Sequence, residues 1–200
     1  MKGLITIVFF IVIHWSSCSK AATNINNELL VTEASWTKEL FQFPIPFAQS
    51  IQLEGLADVR FPQQWGNIKS PNFWSYVFAW RVSAQNVIPV TQLERYISDY
   101  FDGLMRAVRG KSSESIPLTS AVFIPVYERT SDVSYRGSVT VYDAFFTGKL
   151  LTLNVVIDQF LCVHSKQVVL IFRLSPKPQV DTIWKTLNKV ELKAPTCPVT

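Results

Sequence analysis

Apolar and polar residues along this 200-residue chain alternate in two periods, and the switches between them mark out the elements. Alternation by two runs from Trp36 through "WTKELFQFPIP" and again through "SIQLEGLADVRF", with Pro44 and Pro46 restricting the first piece to an edge strand or loop. "PQQWGNIKSP" then reads as a turn between Pro62 and Pro71. It is followed by "NFWSYVFAWRV", which sets Trp74, Tyr76, Phe78, Trp80 and Val82 in one column. The period changes after Pro89. Leu93, Tyr96, Ile97, Tyr100, Phe101, Leu104, Met105 and Val108 recur at steps of three and four, which predicts one long amphipathic helix ending at Gly110. Thr91 and Glu94 have the spacing of a capping box at its start, and Gly103 suits a close approach to the sheet.

From Ala121 to Leu174 the strand period returns in four segments joined by short turns, the pattern of an antiparallel meander. A shorter helix, "DTIWKTLNKV", follows Pro176 and Pro178 with Asp181 as its N-cap. These elements predict an α+β fold, an antiparallel sheet with both helices packed on one face.

Successive strand residues point to opposite sides, so each strand divides into two columns. Val139 and Val141 on one segment match Leu151, Leu153, Val155 and Ile157 on the next, giving every strand an apolar side and a mixed side. The aromatic column belongs with the apolar sides. Burying it under the long helix at about 25 cal/mol per Å² stabilises the fold by several kcal/mol, so it reads as core and not as a ligand platform. Taking "FTG" as a three-residue turn pairs Phe145 with Lys149 and puts Arg136 opposite Asp158. A following hairpin centred on His164 and Ser165 pairs Arg173 with Val156, diagonal to Asp158. The mixed face then carries Arg136, Asp158 and Arg173, ringed by Tyr142, Asn154 and Arg81. This set is either a solvated ion-pair cluster or a receptor for a small anion, because guanidinium groups bind carboxylates in a planar, bidentate way.

The first residues change the picture of where such a domain works. Lys2 precedes an apolar run that ends at Ile13, a layout of a secretory signal and too short to span a bilayer. The small residues of "WSSCSK" lead to Cys18, and the segment resembles the lipobox of bacterial envelope lipoproteins, although Trp15 stands where that family usually has leucine. The resemblance implies a signal peptide over 1–17, diacylation of Cys18, and a membrane partner reached through that lipid anchor. The residues by themselves also allow ordinary cleavage after Ala21. Residues 18–34, polar and without period, read as a tether, and 35–200 as a single α+β domain.

Export places the remaining cysteines, Cys162 and Cys197, in an oxidising compartment and makes them a candidate disulfide. The net charge of +4 comes from scattered residues with no basic run, which excludes nucleic acid as a partner. Candidate catalysts are scarce. Cys162 and His164 could share a side as thiolate and base, but a disulfide would remove the thiolate. Glu54, Asp58, Asp143 and Asp158 are carboxylates without a legible spacing, and no phosphate loop, metal cluster or cofactor motif occurs. The sequence therefore predicts an exported binding or interaction module, working through the mixed face or the 62–71 loop, with no cofactor. The alternatives are a secreted hydrolase using Asp or Glu and a carrier of an apolar ligand.

Overall fold

The computed structural model describes residues 28–110, 115–126 and 131–197. The expected signal segment, Cys18 and most of the tether lie outside the described residues. In chain order the elements are β1 (Leu30–Val31), β2 (Thr37–Phe43), β3 (Gly55–Phe61), β4 (Tyr76–Ser83), α1 (Val90–Arg109), β5 (Ser120–Val126), β6 (Val133–Asp143), β7 (Lys149–Cys162), β8 (Gln167–Ser175), α2 (Ile183–Asn188) and β9 (Glu191–Leu192). β1 pairs with β9 in a small ribbon, and the others form one seven-stranded sheet in the order β2-β3-β4-β8-β7-β6-β5, antiparallel throughout. The expected four-strand meander is β5 to β8. The sheet is larger than the helices it carries, and a first meander, β2 to β4, joins it where β4 meets β8.

The aromatic column is core. Phe78 lies between two rings, with Phe172 of β8 stacked at 4.3 Å and Tyr100 of α1 at 5.7 Å. Trp80 meets Phe43 edge to face at 5.3 Å. Leu93, Ile97, Phe101 and Met105 of α1 close the same cluster, so the helix stripe and the ring column cover one another as the two periods predict.

The second helix departs from the expectation. α2 packs on the opposite face, where Ile183, Trp184 and Leu187 join Leu56, Val77, Ala79 and Ile171. The physical reason is in β8 and its neighbour: Val169, Ile171, Val77 and Ala79 make the reverse column apolar too, and a sheet apolar on both sides must be covered on both. Leu29 and Leu30 are buried in this second cluster, so the packed structure begins before the expected boundary at residue 35.

Two local expectations also change. Glu94 does not close a capping box; Pro89 stands at the N-cap, and the Glu94 carboxylate instead accepts the N–H of Phe123 on edge strand β5 at 2.8 Å. Asp102 accepts the N–H of Thr119 at 2.7 Å, and Pro125 has no N–H to offer, so part of this sheet edge is blunted against another strand. Gly103 does mark a close approach, but to the loop before β3: a Cβ there would lie 1.9 Å from the carbonyl oxygen of Phe47. Gly110 ends α1 with φ 63° as expected, and Asp181 accepts the N–H of Ile183 at 3.0 Å at the start of α2. Cys162 and Cys197 are joined in a disulfide with Cα atoms 5.2 Å apart. It ties the C-terminal segment across the end of β7 and removes the thiolate from any pairing with His164.

Candidate interaction surface

The residues singled out in the sequence fall into separate places. The β6–β7 turn takes five residues and pairs Asp143, not Phe145, with Lys149, so the register is shifted by two from the expected one. An even shift preserves sidedness, but it sets Arg136 opposite Val156 and Ser134 opposite Asp158. The next hairpin is as expected, with Val156 opposite Arg173. Arg173 donates from Nη1 to Asp158 at 2.7 Å, from Nε to the Leu187 carbonyl at 3.2 Å and from Nη2 to the Val190 carbonyl at 3.2 Å. The Ser134 hydroxyl completes Asp158 at 2.8 Å. Arg173 and Asp158 are thus brought together, beneath the end of α2, with every guanidinium nitrogen engaged.

Arg136 donates to Gln179 at 3.0 Å and Asn154 to the carbonyl of Lys177 at 3.1 Å, so both tie the 176–180 segment to the sheet. Tyr142 lies under the guanidinium of Arg109, 5.7 Å from the ring centroid, at the far end of β6. Arg81 lines a shallow cleft of about 190 Å³ with Glu28, Lys193, Pro195 and Thr196. The six side chains do not converge on one ligand.

A second charged pair was not legible as such. Asp58 of β3 is 0% exposed and accepts four hydrogen bonds, from Arg60 at 2.6 and 2.9 Å and from the backbone N–H groups of Leu29 at 2.7 Å and Leu30 at 3.0 Å. Burial weakens the Arg60 charge, but the Asp58 and Glu28 carboxylates together outweigh it and hold the guanidinium above its ordinary value. The pair fastens the first residues of the domain to the sheet.

No family model, curated protein or solved structure matches the chain. Its geometry alone has to indicate the working surface, and one region stands out. At the end of the sheet where β3 stops and β4 begins, Phe61, Trp65, Trp74 and Tyr76 form a ring cluster onto which the β6–β7 turn folds. Trp65 stacks on Phe61 at 4.4 Å and meets Phe146 at 5.4 Å, and Trp74 meets Phe145 at 6.0 Å. Gly66 leaves room for this packing, since a Cβ there would lie 2.8 Å from the Phe146 ring. Burial, with the neighbouring Tyr100 second, pushes the Tyr76 hydroxyl far above the usual phenol range.

The outer layer of the cluster is open to solvent. Phe145 remains 38% exposed, Phe146 36% and Ile68, in the 62–71 loop, 58%. The turn that carries these two adjacent phenylalanines is fixed by Asp143, itself 0% exposed. Its Oδ1 accepts the N–H groups of Phe145 and Phe146, each at 3.1 Å, and its Oδ2 accepts the N–H of Thr147 at 2.9 Å and its hydroxyl at 2.7 Å. Gly148 closes the turn at φ 63°. The sequence signal was Asp followed four residues later by Thr-Gly, an aspartate-capped loop that looks like a shorter hairpin when only the glycine is counted.

Such a carboxylate is positioned for structure and not for proton transfer, because its lone pairs are already directed at donors. Asp143→Ala is expected to lower stability by about 1–2 kcal/mol and to raise hydrogen exchange at Phe145, Phe146 and Thr147 selectively. Unchanged exchange there would show that the ring contacts hold the turn unaided. Among the described residues there is no group of three or more His, Cys, Asp or Glu side chains able to hold a metal ion.

Proposed function

We propose that the chain is an exported, lipid-anchored protein of the cell envelope that acts as a non-catalytic interaction module through its aromatic end. The observation that carries this reading is the pair Phe145 and Phe146, packed on Trp65 and Trp74 yet still more than a third exposed, on a turn whose backbone is fixed by a buried carboxylate with four hydrogen bonds. Leaving apolar surface of this kind in water costs free energy, and a fold that stabilises its display so thoroughly has a use for it. Three of the four candidate carboxylates for the hydrolase alternative are engaged in structure, Asp58 and Asp143 as above and Asp158 with Arg173 and Ser134, while Glu54 lies exposed. The carrier alternative needs space between α1 and the sheet, where Phe78, Tyr100 and Phe172 are stacked ring on ring.

A native mass spectrum of the protein expressed with its own signal tests the reading. The expected mass begins at Cys18, carries acyl chains and includes the Cys162–Cys197 disulfide. A mature chain beginning unmodified at Ala22 would remove the lipid anchor, and turnover in a substrate screen that is abolished by Asp158→Asn would replace a binding module by an enzyme.

A further inference from the structure

We propose that the aromatic end is a docking surface for an anionic lipid bilayer, a contact additional to the lipid on Cys18; the proposal rests on the envelope reading above and names the partner of that surface. Three observations point to a membrane. Phe145, Phe146 and Ile68 expose part of their apolar side chains on two neighbouring loops, while Trp65 behind them is only partly buried. Aromatic rings presented this way are favoured at the boundary between headgroups and acyl chains. Lys69 follows Ile68 directly and Lys149 leaves the Phe145–Phe146 turn one residue after Gly148, and both are exposed. The carboxylate of the same turn, Asp143, is buried and satisfied by N–H and hydroxyl donors, so the outward charge of the two loop tips is positive. Each basic side chain near an anionic surface raises binding about fivefold.

The third observation is where the domain starts. Glu28 ion-pairs Lys38, next along β2 to Thr37, which pairs with Phe61, and Phe61 stacks on Trp65. The chain therefore enters the domain on the reverse face of the sheet from the rings, beside Lys38, Arg60 and Arg81. Residues 19–27 separate Glu28 from Cys18 and reach at most roughly 30 Å when extended. That reach exceeds the roughly 10 Å between packed layers, so an acyl chain on Cys18 can lie on the side of the rings.

The test uses the chain from residue 19 onward, which keeps every described residue and lacks the lipid, so that docking is measured apart from acylation. It is sedimented with vesicles of phosphatidylcholine alone or with phosphatidylglycerol added. Binding is expected with the anionic vesicles, at least about tenfold weaker with neutral ones, and accompanied by quenching of tryptophan fluorescence by brominated lipid that Trp65→Phe reduces. F145S/F146S is expected to abolish sedimentation while lowering the melting temperature, since both rings also pack on Trp65 and Trp74, and its fold is checked by circular dichroism. K69E/K149E, which leaves the ring packing alone, is expected to remove the preference for anionic vesicles and keeps the proposal testable if the phenylalanine variant does not fold. No sedimentation of the unsubstituted chain, equal binding to both vesicles, or binding indifferent to both double variants would overturn it. Capture of a soluble protein by the rings in place of lipid would do the same. The mass at Cys18 is an independent measurement, so failure of the anchor and failure of the docking surface are read separately.

Discussion

Asp58→Ala is expected to unfold the domain at a denaturant concentration well below that of the unsubstituted protein, with a loss of about 3–5 kcal/mol. The substitution removes a carboxylate from the middle of the second apolar cluster, and the damage comes from what is left behind. Arg60 is almost entirely buried and would keep its charge with only Glu28, at 3.6 Å, for a partner. The N–H groups of Leu29 and Leu30 would lose their acceptor in the interior, each at a further cost of about 1–3 kcal/mol before relaxation. Relaxation is available, because the first residues can peel from the sheet and take water. The expected outcome is a weakened domain whose N-terminal ribbon, β1 on β9, exchanges its amides far faster than the seven-stranded sheet. Equilibrium denaturation together with hydrogen exchange measures both effects. A loss under about 1 kcal/mol would mean that the Arg60–Asp58 pair is solvated and not the fastening that its geometry describes.

How much of this was legible follows from what a strand's alternation can encode. The column from Trp74 to Val82 and the stripe from Leu93 to Met105 each have their own period, and two apolar surfaces of that size in one small domain have little choice but to meet. Sidedness was therefore readable, and an error of two residues in the β6–β7 register left it intact. Partner identity was not readable. Whether Arg136 or Ser134 faces Asp158 depends on a turn whose length is set by four hydrogen bonds to Asp143, and an aspartate in a loop looks the same whether it cages a turn or faces water. The side of the sheet taken by α2 depended on pairing β4 with β8, a contact between residues almost a hundred positions apart. Asp58 looked like an ordinary polar alternate in "GLADVRF"; only its burial under the N-terminal segment makes it structural. The aromatic surface was half visible, since the 62–71 loop stood out by composition while Phe145 was assigned to the end of a strand and Phe146 to a three-residue turn.

The Arg173–Asp158 pair shows why a cluster of this composition cannot be tested for ligand binding by deletion alone. Arg173→Ala is expected to cost about 2–4 kcal/mol, because it leaves Asp158 without its counter-charge and the carbonyls of Leu187 and Val190 without donors at the end of α2. Arg136→Ala, at a more exposed position where the arginine donates to Gln179, is expected to cost under about 1 kcal/mol. A double alanine variant would therefore lose function through folding whether or not an anion binds. The discriminating variant replaces the partly buried pair as a unit. Arg173→Met with Asp158→Leu removes both charges while keeping volume beneath α2, and is expected to be more stable than Arg173→Ala alone, since most of the cost of breaking such a pair lies in the orphaned partner. If the paired replacement is instead as unstable as the single alanine, the carbonyl bonds at the end of α2 outweigh the ion pair. If it is stable but loses a biological activity that Arg136→Ala retains, Arg173 binds a ligand in addition to holding α2 in place.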